Sequence, residues 1–324
     1  MKRRNFIKTA LPAGITAITA GRCTRPQQPY AERKKLFSLV HFTDIHVHPR
    51  PDKSSQGTRE CFLAAIEKMN DLKPDIAISG GDLVEDALAL NAEEAHEQYD
   101  LYIECCKSFD MPVYDVMGNH EMVGLYAPDK ISPDHPDWGK ELFKKKVGGG
   151  KTYRSFDHKG VHFILLDSLD IKKKENKPGH TYIGLIGNEQ IAWLKNDLAG
   201  LPPETPVIAV SHVPCITWWW VSRFGPFEPH GPRIILHDGN ELVNLFKPYR
   251  LIGFLQGHVH IDEIYIYNSI KYVSSGAVMG VHWTDTNKDD EGNGPGFNLV
   301  HVFEDGIKTE YIGIDCEPSL YRNG

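Results

Sequence analysis

Seven side chains of metal-ligating type stand at the ends of short apolar runs in this sequence. A set that combines carboxylates, imidazoles and an amide favours borderline or hard divalent ions such as Zn, Mn or Fe. One catalytic zinc ion typically uses three protein ligands and a water molecule, so this set exceeds one site. It suits two ions that share a carboxylate and together hold the attacking and leaving oxygens of an in-line displacement. The residues are Asp44, His46, Asp82, Asn119, His212, His258 and His260.

The apolar runs are expected to be buried strands whose carboxyl ends meet at one edge of a parallel sheet. The run at residues 76–79 is followed by Gly80 and Gly81 and leads to Asp82. Such runs are typical of buried parallel strands, and ligands bind beyond the carboxyl ends of these strands. His258 and His260 would share one face if their segment were extended. The other four runs are residues 39–42, 112–116, 207–210 and 251–255.

Helical periodicity between the first three runs predicts a β-α-β-α-β order. Apolar residues recur at helical spacing over residues 59–72 and 92–109, and this order implies parallel pairing with right-handed crossovers. The sequence then predicts a hairpin over residues 153–166, a charged surface loop at 171–177 and a short helix at 189–198. We therefore expect one domain of two sheets with helices outside. Alternation of apolar and polar residues predicts further strands at 264–267, 271–274, 298–303 and 308–312.

The composition favours a large α/β domain and argues against some classes of partner. With 324 residues and 41% hydrophobic content, the chain can bury a full core. The formal net charge of −7 argues against nucleic acid or an anionic membrane as the main partner. It does not argue against a small phosphorylated substrate, because bound metal ions can reverse the sign of a site.

The first 23 residues are expected to be an export signal and not part of the fold. Arg3 and Arg4 precede an apolar stretch, roughly residues 9–20, that is too short to span a membrane. The paired arginines resemble a twin-arginine signal, and the alternative is a basic, disordered start. Cys23 resembles a lipidation site, except that Arg22 replaces the usual small residue. We expect a periplasmic or otherwise extracytoplasmic mature chain without a transmembrane segment, and leave open lipid attachment through Cys23.

The later cysteines form no recognisable framework. None of them has C-x-x-C spacing, and the adjacent Cys105 and Cys106 are expected in the core of a helix. An exported protein permits disulfides. The spacing of Cys61, Cys215 and Cys316 nevertheless predicts no pairing.

In their order along the chain, the candidate ligands and their neighbours resemble the motifs of calcineurin-like metallophosphoesterases over about residues 36–312. The matching blocks are Asp44-x-His46, Gly81-Asp82, Gly118-Asn119-His120-Glu121, His212 and Gly257-His258-Val259-His260. The resemblance implies an α/β fold, a four-layer α-β-β-α sandwich of two mixed sheets flanked by helices, with a dinuclear metal centre at the strand ends. It also implies that Asp44, His46, Asp82 and His260 bind one ion, that Asp82, Asn119, His212 and His258 bind the other, and that Asp82 bridges the two.

The resemblance further implies an enzyme that hydrolyses phosphate mono- or diesters by attack of a metal-bound hydroxide. Divalent ions lower the pKa of bound water to about 7, which makes hydroxide available at neutral pH. His120 resembles the residue that gives a proton to the leaving-group oxygen, and an imidazole that titrates near neutrality suits this task.

Some positions leave alternatives open. Purple acid phosphatases have a tyrosine ligand three residues after the bridging aspartate, where this sequence has Glu85, and the Asp86-Ala87 that follows differs from the Arg-Gly of protein phosphatases. Glu85 is expected either to orient His120 or to be a solvated loop residue. Two other functions remain as alternatives: a non-catalytic metal-containing module that binds an anionic partner, and a metal-dependent amidohydrolase, which the His46-x-His48 spacing would suit.

An aromatic segment between His212 and Gly257 is the region expected to select the substrate. Aromatic residues on a segment rich in proline and glycine form either a packed lid or a platform that stacks on a ring. His237, His282 and Trp283 are weaker candidates for the same rim. The residues of the aromatic segment are Trp218, Trp219, Trp220, Phe224, Phe227 and His230.

Overall fold

A β-α-β-α-β unit opens the part of the chain described by the computed structural model, which covers residues 33–49, 57–227, 229, 231–280 and 294–316. The three strands pair in parallel, as predicted. Helix α2 begins at a capping box, in which Asn91 and Glu94 each accept the backbone N–H of the other. The elements are β1 (Lys35–Phe42), α1 (Thr58–Asp71), β2 (Ile76–Ser79), α2 (Ala92–Cys106) and β3 (Val113–Asp115).

The second part of the chain completes two large sheets and adds a separate two-stranded sheet and four more helices. The predicted hairpin, the predicted helix at 189–198 and the predicted strands near the end of the chain are all confirmed. The elements are α3 (Glu141–Lys146), β4 (Arg154–His158), β5 (Val161–Leu166), β6 (Leu169–Lys173), β7 (His180–Gly184), α4 (Gly187–Ala199), β8 (Pro206–Ser211), α5 (Trp219–Phe224), α6 (Gly239–Phe246), β9 (Arg250–Gln256), β10 (Glu263–Tyr267), β11 (Ile270–Ser274), β12 (Gly296–Phe303) and β13 (Gly306–Gly313).

Two mixed sheets pack against each other through a shared core. One sheet has the strand order β13-β12-β1-β2-β3 and the other the order β10-β11-β9-β8-β5-β4. Leu39 of the first sheet and Phe163 and Val210 of the second belong to one buried cluster between the sheets. The next residue of β1, Val40, belongs instead to the cluster that contains Phe62 of α1. Helices therefore cover the outer faces, and the predicted α-β-β-α sandwich is confirmed.

The sandwich also decides one alternative function. A metal-dependent amidohydrolase would have barrel architecture, whereas these strands form open sheets. His48 belongs to none of the groups of potential metal ligands found among the described residues. The amidohydrolase alternative is therefore wrong.

The prediction of a charged loop at 171–177 is wrong for its first three residues. Strand β6 ends at Lys173 and pairs antiparallel with β7, with Ile171 opposite Tyr182. Leu169 and Ile171 alternate with charged residues, which is the period of a strand. The sequence did not predict this strand because the lysines at 172–174 made the segment resemble a charged loop.

A disulfide that the sequence did not predict joins the first helix to the end of the described chain. Cys61 of α1 and Cys316, which follows β13, are 255 residues apart, with their Cα atoms separated by 5.5 Å. This Cα separation is ordinary for a disulfide. Sequence spacing could not reveal the pair, because the fold alone brings α1 and the segment after β13 together. Cys105, Cys106 and Cys215 are free thiols.

The remaining predictions concern the export signal, the domain boundaries and the lack of a transmembrane segment. The predicted export signal and Cys23 lie outside the described residues, so the division into a signal and a domain over residues 36–312 stays a prediction. Within the part of the chain that is described, no helix is long and apolar enough to cross a membrane.

Candidate metal centre

All seven predicted metal ligands lie together at the carboxyl ends of the strands. Six of them are buried and His258 is half-buried. Among the described residues, three overlapping groups of His and Asp ligand atoms have all their members within 4.8 Å of one another. The groups are Asp44, His46 and His260; His46, Asp82 and His120; and Asp82, His212 and His258.

The first part of the centre follows β1 and β9. His260 Nε2 lies 3.1 Å from Asp44 Oδ1, and His46 Nε2 lies 4.0 Å from the same oxygen. His46 Nε2 also lies 3.8 Å from Asp82 Oδ2. Burial lowers the pKa of His46 to about 3, so this ring stays neutral and can act as a ligand.

The second part of the centre follows β2, β3, β8 and β9. His212 Nε2 lies 3.2 Å from Asp82 Oδ2 and 3.2 Å from Asn119 Oδ1. His258 Nδ1 lies 3.2 Å from His212 Nε2. Asp82 Oδ2 therefore contacts both parts of the centre, which is the position that a bridging carboxylate needs.

The tautomers of two histidines fit a bound cation. His212 Nδ1 donates to the carbonyl oxygen of Gly80 at 2.8 Å, and His258 Nε2 donates to that of Arg233 at 2.9 Å, because a carbonyl oxygen can only accept. The other two ring nitrogens, His212 Nε2 and His258 Nδ1, face each other 3.2 Å apart. Burial lowers the pKa of His212, but the charge of Asp82 outweighs burial and raises this pKa to about 9, so a positive charge at Nε2, whether a proton or a metal ion, is stabilised. The centre thus attracts a cation, and its carbonyl-held rings are typical of metal ligands.

Five of the seven candidate ligands have a left-handed backbone. Their φ angles lie between 50° and 73°, a region that costs a residue with a side chain roughly 1–2 kcal/mol. Such strain is concentrated at functional sites, where the surrounding structure enforces it. The expectation that the segment of His258 and His260 is extended is therefore wrong, and their rings converge because both backbones turn. The five residues are Asp44, His46, Asp82, His258 and His260.

Close packing of the backbone sets the position of Asp82. A Cβ atom on Gly118 would lie 2.2 Å from the backbone nitrogen of Asp82 and 2.3 Å from its Oδ1. Only glycine therefore permits this approach. The His120 backbone N–H donates to the same Oδ1 at 2.9 Å, which leaves Oδ2 for the ligand groups.

His120 lies in a short 3-10 helix, Asn119–Glu121, with its ring against the centre. Its Nε2 lies 3.9 Å from Asp82 Oδ2, and its Nδ1 contacts the carbonyl oxygen of Glu85. Of the two roles predicted for Glu85, the orientation of His120 agrees with this contact, which the main-chain carbonyl oxygen makes. The Asp86 carboxylate, 3.9 Å from His120 Nδ1, is a neighbour that the sequence did not indicate.

Glu121 supports the centre in a way that sequence reasoning missed. Its buried carboxylate accepts the backbone N–H groups of Asp82, Leu83, Val84 and Gly118 at 2.6–3.2 Å. Burial and the charge of Asp82 raise the pKa of Glu121, whereas His212 and the backbone N–H groups that donate to it oppose this rise. The carboxylate ties the loop after β2 to the loop after β3. The only signal in the sequence was the acidic residue that follows His120.

A cavity of about 220 Å³ opens beside the centre. Trp219 is buried and lines it, whereas Trp218 is 57% exposed and Phe227 is 96% exposed. The aromatic segment is therefore part wall and part exposed surface. His237 is exposed and is not among the described residues that line the cavity, and His230, His282 and Trp283 lie outside the described residues. The other lining residues are Asp82, Asp86, Leu88, Asn119, His120, Tyr126, Tyr182, Arg233, Ile234, His258, Val259 and His260.

Several relatives of this chain are named as phosphodiesterases. A 3′,5′-cyclic-nucleotide phosphodiesterase from Nostoc sp. is 25% identical over 286 residues, which is 86% of this chain and 92% of the relative. A 3′,5′-cyclic adenosine monophosphate phosphodiesterase from Haemophilus influenzae is 21% identical over 87% of this chain and 91% of its own.

The fold is also that of solved phosphatases. The crystal structure of a dimetal phosphatase from Danio rerio superposes with a TM-score of 0.57 at 14% identity, over 86% of this chain and 97% of that one. Residues 37–262 match the family described as calcineurin-like phosphoesterase. Because this match spans more than half of the sequence and contains all of the ligand motifs, the chain belongs to the calcineurin-like phosphoesterase family.

Proposed function

We propose that this protein is a dinuclear metal-dependent phosphodiesterase whose substrates are 3′,5′-cyclic nucleotides. The observation that carries the proposal is the position of Asp82 Oδ2, 3.8 Å from His46 Nε2 and 3.2 Å from His212 Nε2. A carboxylate shared between two ligand groups suits two ions. The relatives named as cyclic nucleotide phosphodiesterases align over nearly their whole length and support this substrate class.

The ligand sets follow from the two parts of the centre. One set is Asp44, His46, Asp82 and His260, and the other is Asp82, Asn119, His212 and His258. These oxygen and nitrogen ligands suit Zn, Mn or Fe. Two such ions, when bound, polarise the phosphoryl oxygens and activate the water molecule that attacks phosphorus.

His120 acts on the leaving group. Its Nδ1–H is held by the Glu85 carbonyl oxygen, so its Nε2 points toward the cavity. The doubly protonated ring gives the Nε2 proton to the leaving oxygen as the P–O bond breaks. This role also argues against a non-catalytic binding module, because binding alone does not use a proton donor.

The aromatic walls supply a place for the nucleobase. Trp219, Tyr126 and Tyr182 line the same cavity as the ligand groups. Aromatic side chains contribute stacking area to a planar ring. A cyclic nucleotide combines such a ring with the phosphodiester that the metal centre binds.

The test is hydrolysis of 3′,5′-cyclic AMP by protein that has been stripped of metal and reloaded with Mn, Zn or Fe. We expect a metal-dependent reaction with a higher kcat/KM for the cyclic nucleotide than for the matching nucleoside monophosphate. A higher kcat/KM for the monophosphate would overturn the diester preference. Absence of hydrolysis with every metal would overturn the enzymatic proposal.

We also propose that the protein is exported through a twin-arginine signal. The motif at Arg3 and Arg4 motivates this proposal. The Cys61–Cys316 disulfide supports it, because disulfides persist in oxidising compartments outside the cytoplasm.

A further inference from the structure

A single fixed cation lies on the wall of the cavity. Among the described residues that line the cavity, Arg233 is the only lysine or arginine. The metal-ligand candidates Asp82, Asn119, His258 and His260 line the same space. A substrate bound at the metal centre therefore lies in the cavity that the guanidinium borders.

Two tyrosines and one main-chain bond hold Arg233 in place. Its Nη1 donates to the hydroxyl oxygen of Tyr126 at 3.0 Å, and its guanidinium carbon lies 5.7 Å from the ring centre of Tyr182. Stacking on an aromatic face suits a guanidinium and restricts its motion. The carbonyl oxygen of Arg233 accepts from His258 Nε2 at 2.9 Å. The residue is thus tied directly to a candidate metal ligand.

The Arg233 guanidinium has no acidic partner within the described part of the chain. No carboxylate oxygen there lies within 4.0 Å of it, whereas cations elsewhere on the protein form close pairs, such as Lys140 with Asp167 and Lys145 with Asp137. A guanidinium has five N–H donors, and Tyr126 uses one of them. The remaining donors are available to a ligand with anionic oxygens.

We infer that Arg233 binds the non-bridging phosphoryl oxygens of the substrate, and that Tyr126 and Tyr182 position its guanidinium for this contact. The inference rests on the proposed function, because it places the scissile phosphodiester at the neighbouring metal centre. Arginine suits the task, since its planar fork of donors matches two oxygens of one phosphoryl group. Tyr126 and Tyr182 act through Arg233 and are positioning residues.

Inorganic phosphate is the probe that tests the contact without turnover. Calorimetry on metal-loaded protein would compare the wild type with Arg233→Gln, Arg233→Lys and the control Arg223→Gln. Arg223 is also stacked on an aromatic ring, 5.5 Å from the ring of Trp219, but it does not line the cavity among the described residues. Because His258 contacts Arg233 through the main chain, substitution of the side chain leaves that bond in place.

We expect Arg233→Gln to weaken phosphate binding about 10- to 100-fold, the range for loss of a hydrogen bond to a charged group. Arg233→Lys should bind phosphate more tightly than Arg233→Gln and less tightly than the wild type, because lysine keeps the positive charge but lacks the planar set of N–H donors. Arg223→Gln should bind phosphate as the wild type does. Metal content should be the same in all four proteins. Unchanged phosphate affinity in Arg233→Gln, with its metal retained, would overturn the inference.

Tyr126→Phe tests the positioning role with a smaller change. It removes the hydroxyl that accepts from Arg233, so phosphate binding should weaken in the same direction but by a smaller factor. In the double variant with Arg233→Gln, Tyr126→Phe should cause no additional loss, because its effect passes through the guanidinium. Full additivity of the two losses would overturn the positioning role.

Two ester substrates distinguish the phosphoryl group from any other anionic part of the substrate. Bis(4-nitrophenyl) phosphate has only the phosphoryl charge, and a matched diester would carry an added carboxylate. We expect Arg233→Gln to raise KM by similar factors for both. A rise confined to the carboxylate ester would overturn the phosphoryl contact. If the wild type hydrolyses neither these esters nor 3′,5′-cyclic AMP, the proposed function fails, and the phosphate measurement still decides the inference.

Discussion

At the scale of single residues, substitution of His120 should distinguish the catalytic step from metal binding. His120 is buried and belongs, with His46 and Asp82, to one group of potential ligand atoms, but neither proposed ligand set uses it. We expect His120→Ala to keep its metal while hydrolysis falls by roughly 10²- to 10⁴-fold, the range for loss of a general acid. Alkyl phosphates should lose more activity than nitrophenyl esters, because nitrophenolate leaves without protonation. Equal losses for both substrate types, measured with metal content intact, would show that His120 does not donate the proton.

His41, which has no role in the proposed mechanism, makes the free energy of unfolding depend on pH. Its ring is fully buried, and neither nitrogen has a hydrogen-bond partner among the described residues. Burial lowers the pKa of His41 to about 4, from 6.5 in an unfolded chain. Between these values the unfolded state binds more protons, so the free energy of unfolding falls as the pH decreases from 6.5 toward 4.

The matched variant for this effect is His41→Leu. When the pH is lowered from 7 to 5, protonation of His41 in the unfolded state should lower the free energy of unfolding of the wild type by about 2 kcal/mol, because each pKa unit corresponds to 1.36 kcal/mol. The variant should not show this loss. Denaturant unfolding at both pH values measures the difference. An identical pH dependence in the two proteins would contradict the assignment.

At the scale of the elements, Glu121 joins the loops that follow β2 and β3. In Glu121→Gln, one carboxylate oxygen becomes an NH2 group that faces backbone N–H donors, so buried donors lose their acceptor. We expect a loss of about 2 kcal/mol or more in the free energy of unfolding, since each unsatisfied buried group costs roughly 1–3 kcal/mol. Glu60→Gln, at an exposed glutamate of α1, is the control and should change stability little. A loss no larger than that of the control would contradict this role.

The elements also explain which features the sequence could predict. The helices predicted at 59–72 and 92–109 are present as Thr58–Asp71 and Ala92–Cys106, because a buried stripe at helical spacing is a local signal, although the second helix ends three residues earlier than predicted. Asp44 and Asp82 could be identified because each stands directly at the end of an apolar strand. The periodicity of a strand and the position of its end can both be predicted from residues that are neighbours in the sequence.

The cavity wall could not be predicted in this way. Tyr126 and Arg233 lie in two separate connections and Tyr182 lies in β7, so only the folded chain brings the three residues together. The sequence did not predict the left-handed backbone at His258 and His260, because these residues do not favour that conformation by themselves and the surrounding site imposes it. The Cys61–Cys316 pair is equally non-local.

At the scale of the whole molecule, the export proposal makes a prediction about location. Replacing Arg3 and Arg4 by lysine should retain the protein in the cytoplasm, because a twin-arginine signal requires the arginine pair. Cell fractionation measures the outcome, with Arg33→Lys, which lies outside the predicted signal, as the control. Unchanged delivery of the Arg3/Arg4 variant across the membrane would contradict this route.

In the proposed function one carboxylate, Asp82, joins two metal ions at the carboxyl ends of the strands. Metal analysis of the wild type, Asp82→Asn and Asp86→Asn tests this bridging role. Asp86 lines the same cavity but belongs to none of the ligand groups among the described residues, so it is the matched control. We predict two ions per chain in the wild type and in Asp86→Asn. Asp82→Asn should lose metal together with turnover, because both cations lose a shared negative charge. Two tightly bound ions per chain in Asp82→Asn would contradict the account.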